Sequence, residues 1–220
     1  MAFELKPGIS FCVIDDRCIF LDLANDRYFG LSSEAERPFL KLARNDSLSQ
    51  SDEEILASLG AAGPLTAAKG KQAPIAATVE PRVTGSMLGD LPFRASATDL
   101  VAALWHIVRA SRRLQHQGLA CSIAALGAAK RRSARDLPPG RAHEIAASFD
   151  RAALVATAHD KCLPRSLAVA ARLASAGAAP DLVIGVKLQP FKAHCWVQLG
   201  DMLVNERVEV TRAFTPIFVL

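Results

Sequence analysis

The sequence predicts an α+β protein built of two units. Three observations carry this. Apolar residues recur at strand-like spacing near the N-terminus, at helical spacing in the middle and at strand-like spacing again near the C-terminus. From Gly60 to about Pro92 the chain turns to Ala, Pro, Gly and Lys and loses hydrophobic periodicity, as linkers do. The charge changes sign across that stretch: residues 1–60 hold 6 Lys/Arg against 11 Asp/Glu, while the whole chain is +4. The predicted boundaries are 1–85 for the first unit, a linker to about 92, and 93–220 for the second.

The first unit opens with short apolar runs broken by turn residues. "ISFCVI" precedes "DDR", "CIFLDL" precedes "ANDR", and "YFGL" follows, so a three-stranded meander is expected over residues 9–31. "SSEAERPFLKLARN" reads as a helix, with Ser32 or Ser33 as its cap, Glu36 in capping-box spacing from Ser33, and Pro38 moving its start later. A second helix is expected in "SLSQSDEEILASLG", capped by Ser51 with Glu54 answering, and with Ile55 and Leu59 as an i, i+4 pair. One short extended piece is expected near Ile75–Val83.

The second unit begins helical. Leu100, Leu104, Ile107, Ser111 and Leu114 share one face of the first helix, and a weaker helix starts at Cys121. "LPPGR" breaks the chain, after which Ile145, Phe149, Ala152 and Ala156 mark a third helix. The fourth runs from Cys162 to Gly177. The period then changes to 2, and "DLVIGVKL", "AHCWVQLG" and "MLVNERVEV" read as three antiparallel strands.

Cys162 opens its helix instead of sitting on the buried stripe. There the macrodipole favours a thiolate, and the first main-chain N–H groups are free to serve an oxyanion. A thiolate nucleophile also needs a base and a group that orients the base. His194 lies on the strand "AHCWVQLG", sharing a face with Trp196 and not with Cys195. The next strand carries Asn205 and Glu206, and either can orient the imidazole. The order helix-Cys, strand-His, strand-acid is that of the papain-like and transglutaminase-like fold.

Composition excludes other classes. The chain contains neither a run near the ~20 apolar residues of a spanning helix nor a secretory signal, so a cytoplasmic protein without membrane attachment is expected. Five scattered cysteines do not make a disulfide framework, and Cys12, Cys18, Cys121 and Cys195 are assigned to packing. A zinc site from His159, Cys162, His194 and Cys195 is weaker than the nucleophile reading, because His194 and Cys195 project to opposite faces. The basic residues Arg109, Arg112, Arg113, Lys130, Arg131, Arg132 and Arg135 read as a solvated face, without the interleaved aromatics of a nucleic-acid groove. The acidic first unit likewise argues against a DNA-binding winged helix. No G-x-x-x-x-G-K-[ST] appears, and no cofactor or metal is expected.

"CLPRSLAVAARLASAG", "LVIGVKLQPFKAHCWVQLGDMLVNE" and "FTPI" together resemble the lasso-peptide maturation B proteins, a family of transglutaminase-like cysteine proteases, over roughly residues 95–220. The resemblance implies a Cys–His–acid triad at Cys162, His194 and position 206, where Glu replaces the family's Asp. "CIFLDLANDRYFGLSSEAERPFLKLA" is similar to the precursor-recognition domain of ribosomal peptide maturation. That resemblance implies a small winged-helix-like fold of three strands and three helices. A leader peptide would add as a strand to Arg27, Tyr28, Phe29, Gly30 and Leu31, beside Ile55 and Leu59. The implied function is removal of a leader from a precursor peptide, with a separate ATP-consuming, asparagine-synthetase-like cyclase as a further partner. A protein that only binds and delivers a precursor is the alternative.

Overall fold

The computed structural model describes residues 2–59, 63–68, 73–80, 82–88, 95–132, 137–155 and 162–220. The chain divides into Met1–Thr78 and Val79–Leu220.

In the first unit, β1 (Ala2–Leu5) precedes the meander of β2 (Ile9–Ile14), β3 (Arg17–Asp22) and β4 (Arg27–Gly30), in the order β2-β3-β4. Asp15 and Asp16 join β2 to β3 with φ of 49° and 58°. Positive φ at both positions is what a two-residue hairpin loop needs to follow the strand twist, and Asp tolerates it. Phe11, Phe20 and Phe39 fill the core, with ring centroids 4.9–5.8 Å apart.

The first helix starts at one of its two expected caps, and the second does not. α1 (Ser33–Ala43) is capped by Ser32 without a side-chain bond, and Pro38 lies inside it, buried with Ala35 and Phe39. Glu36 does not answer Ser33. Its carboxylate accepts the Cys18 N–H at 2.9 Å and the Arg17 Nε–H at 3.2 Å, tying α1 to the start of β3. α2 (Gln50–Ser58) is capped by Ser49, with Asp52 completing the box. Asp52 prevails over Glu54 because it also takes Lys41 Nζ at 2.7 Å, which links α2 to α1.

Part of the stretch read as a linker is structured. β5 (Leu65–Ala68) pairs antiparallel with β1, the strand that patterning missed. The described residues of this unit contain two helices where the resemblance implies three.

In the second unit, β6 (Gly85–Ser86) comes first, so residues read as the end of the first unit belong here. α3 (Ala97–Arg132) joins the two expected helices through a kink at Gly118, whose φ of 76° and ψ of 178° suit glycine. α4 (Arg141–Val155) buries Ile145, Phe149 and Ala152 as expected; Ala156 lies outside the described residues. α5 (Cys162–Ala176) packs against α3 and α4 and against two strands, β7 (Asp181–Lys187) and β8 (Lys192–Leu199). Its run Ala168–Val169–Ala170 is fully buried, and such small side chains permit close approach on several sides.

The sheet has five strands where three were expected, in the order β10-β7-β8-β9-β6. "MLVNERVEV" is not one strand: only β9 (Met202–Leu203) is extended, and α6 (Val208–Thr211) follows. The ladder stops because the Asn205 side chain takes the Val197 N–H that a longer strand would pair. β10 (Thr215–Val219) pairs with β7 at the far edge, where Pro216 is tolerated. β6 joins β9 in parallel at the other edge.

Candidate active site

The packing of α5 on β8 brings together the first residue of one and a central residue of the other. The Cys162 thiol and the His194 imidazole lie close enough for each to shift the other's proton affinity. Glu206, in the turn after β9, places Oε2 2.7 Å from His194 Nε2. With Nε2 committed to the carboxylate, Nδ1 is the ring nitrogen that serves the sulfur. The three predicted residues thus form one chain, acid to imidazole to thiol, each half-buried.

The charges are coupled. Burial pushes the Cys162 thiol up, but its hydrogen bond with His194, the imidazolium charge and the main-chain N–H groups of Cys195 and Leu163 bring it below its ordinary 9.0. His194 is raised to about 9 by its bonds to Cys162 and then Glu206, against burial. Burial also pushes Glu206 up. The His194 bond, the Arg207 N–H at 3.0 Å and the charges of His194 and Arg165 more than offset this, so the carboxylate stays ionised. All three shifts run in the direction that favours a thiolate–imidazolium pair held by a carboxylate. No acidic residue lies in the first turn of α5 to compete for its positive end.

The imidazole is also held sideways. Phe214 lies 5.3 Å from it, centroid to centroid, and Trp196 lies 6.3 Å away. Gly185 faces His194 across the β7–β8 ladder. A Cβ there would meet the Trp196 ring at 2.6 Å, so glycine at this position is what admits the indole.

The Asn205 side chain makes its bonds away from His194. It is buried, and it hydrogen-bonds Val197 N–H through Oδ1 at 2.8 Å and Ser166 Oγ through Nδ2 at 2.9 Å. Cys195 is buried and its thiol is pushed up, which suits packing; Cys12 and Cys18 are buried too, whereas Cys121 is exposed, contrary to the packing assignment. His159 of the zinc reading lies outside the described residues.

Sequence reasoning missed the roles of Ser166, Phe214 and Gly185. Ser166 had a signal: four residues past Cys162, it falls on the same helix face as the thiol. Phe214 was marked only by the resemblance, as the first residue of "FTPI"; it lies in the segment between α6 and β10, with no period of its own.

Residues 104–219 match the transglutaminase-like superfamily. The chain belongs to that superfamily. A transglutaminase-like site with cysteine, histidine and a carboxylate is compatible with cysteine-protease-like chemistry. No curated protein and no solved structure matches the chain. The match covers most of the unit that carries the site and none of the first.

In the first unit, Arg27, Tyr28, Phe29 and Gly30 make up β4, an edge strand of its sheet. Phe29 stacks on Phe20 at 5.2 Å, and Arg27 lies over the Phe29 ring at 5.3 Å. Phe29, Leu31 and Leu59 pack against the same phenylalanine core; Ile55 is half-buried on α2. Among the described residues, no helix is long and apolar enough to cross a membrane.

Proposed function

We propose that this protein is a cysteine endopeptidase of lasso-peptide maturation, which holds a precursor by its leader and cuts the leader from the core peptide. The observation that carries the reading is the alignment of Glu206, His194 and Cys162, with Glu206 and His194 2.7 Å apart. It supplies a nucleophile, a proton carrier and an orienting charge in one line.

In this reading Cys162 Sγ attacks the carbonyl carbon of the scissile bond. The carbonyl oxygen becomes an oxyanion, which the Cys162 main-chain N–H at the start of α5 stabilises. The C–N bond then breaks, and His194 delivers its Nδ1 proton to the departing amine. The acyl group stays on sulfur as a thioester. Water, deprotonated by His194, attacks that carbonyl, and the leader departs as a carboxylic acid with the thiolate restored. Glu206 keeps the ring oriented and stabilises the imidazolium throughout.

The first unit binds the leader as an added strand on β4, with apolar leader side chains against Phe29, Leu31, Ile55 and Leu59. Edge position and half-buried apolar residues support this. The reaction takes place in the cytoplasm, and the released core passes to a separate ATP-consuming cyclase. The test is to incubate the protein with the precursor encoded beside it and weigh the products. Two fragments summing to the precursor plus one water support the proposal. Tight binding without cleavage overturns it in favour of a delivery protein.

A further inference from the structure

The β8 strand has an edge that its neighbour abandons. β9 ends at Leu203, and only the Val204 N–H continues the ladder, reaching Val197 O at 2.9 Å. Alternate residues of a strand turn their main-chain groups to alternate edges, so Cys195 and Val197 both face the side β9 leaves. Apart from the Val197 C=O, these groups turn to partners outside the ladder. Val197 N–H goes to Asn205 Oδ1 at 2.8 Å. Cys195 C=O accepts from Ser166 Oγ at 2.8 Å, and Ser166 Oγ in turn accepts from Asn205 Nδ2 at 2.9 Å. The Cys195 N–H is among the groups that lower the Cys162 thiol.

Ser166 is 0% exposed and Asn205 5%. Each stands between elements: Ser166 on α5 with Cys162, Asn205 beside Glu206, and both bonded to the strand of His194. Buried hydrogen bonds of this kind leave no water to substitute if one partner is lost.

We infer that Ser166 and Asn205 are positioning residues for the Cys162–His194–Glu206 site. They rivet α5 to the abandoned edge of β8, so that Cys162 at the start of α5 is held against the strand of His194. The inference rests on the reading of Cys162 as nucleophile. It assigns the site a buried clamp between the cysteine helix and the histidine strand.

The test is the pH dependence of Cys162 alkylation by iodoacetamide on the intact protein, with no peptide present, alongside thermal melts. Ser166→Ala removes a single oxygen, and Asn205→Ser keeps an acceptor that cannot span both partners. Each variant is expected to raise the apparent pKa of alkylation by about one unit, lowering the rate near pH 6 about tenfold. Ser166→Thr, which keeps the hydroxyl, is expected to restore the wild-type profile. A lower melting temperature with an unchanged alkylation profile in either variant would mean a purely structural rivet and overturns the inference. If one variant does not fold, the other decides. A wild-type Cys162 that alkylates with an ordinary thiol profile sinks the nucleophile reading itself, a distinct outcome.

Discussion

Two helices of this chain begin in opposite ways. α2 closes its N-terminus on itself: Ser49 accepts the Asp52 N–H, Asp52 accepts the Ser49 N–H, and Lys41 neutralises the carboxylate. Bonds to Lys41 and Ser49 hold the Asp52 carboxyl at about 2, so the cap persists at any ordinary pH. α5 has no carboxylate in its first turn, and its opening residue is a cysteine whose thiol is brought below its ordinary value. The first arrangement uses the helix dipole to stabilise the fold. The second leaves the dipole available to a thiolate. A helix start is thus a structural or a chemical device according to which side chain occupies it.

The largest expected effect comes from removing the chemical device. Cys162→Ala should lower precursor cleavage by at least about 10³-fold while leaving leader binding and the melting temperature unchanged. Mass spectrometry of the products and a binding titration check both halves. Normal cleavage by this variant would remove α5 from the comparison.

Next comes the orienting group. Glu206→Ala should cost about two orders of magnitude less than Cys162→Ala, since an orienter is lost while nucleophile and base remain. The pH profile sharpens the point. His194 is raised to about 9, so its protonated form persists below that value and is lost as pH rises through it. Cleavage should fall on the alkaline side with a midpoint near pH 9, and on the acid side as Cys162 gains its proton below its ordinary value. In Glu206→Ala the alkaline midpoint should move down. An unmoved midpoint would mean that Glu206 does not act through His194.

A smaller effect is expected at Gly185. Gly185→Ala drives a Cβ to 2.6 Å from the buried Trp196 ring, an overpacking worth about 1–3 kcal/mol of stability. Because Trp196 flanks His194, activity should fall along with the melting temperature. Retained stability would show that the indole has room to move.

The smallest effect lies in α2. Ser49→Ala should cost about 1 kcal/mol and leave the alkylation profile of Cys162 untouched. A chemical denaturation curve measures the first, and iodoacetamide the second.

Much of this was legible beforehand, for local reasons. Cys162 announced itself because a helix start is visible in one short run, and His194 because its strand alternates. Glu206 and Asn205 stood equally open, since sequence places both near β8 without saying which side chain turns where. β5 stayed hidden because its partner is some sixty residues away and "LTAA" has no strand pattern of its own. β6 is only two residues long, below what any period can show. The split of "MLVNERVEV" needed the Asn205 side chain to cut the ladder, a tertiary event.

The two residues of β6 have a consequence for where such a gene can be cut. Thr84 hydrogen-bonds Asp201 through both main chain and side chain, and Ser86 Oγ donates to the main-chain oxygen of Glu206 at 2.7 Å. The peptide that carries the orienting carboxylate is therefore steadied by a segment more than a hundred residues upstream. A polypeptide starting at residue 93, where composition suggests a natural seam, would lack that stay. Breaking the chain near Val79 instead would leave Thr84 and Ser86 on the same piece as Glu206.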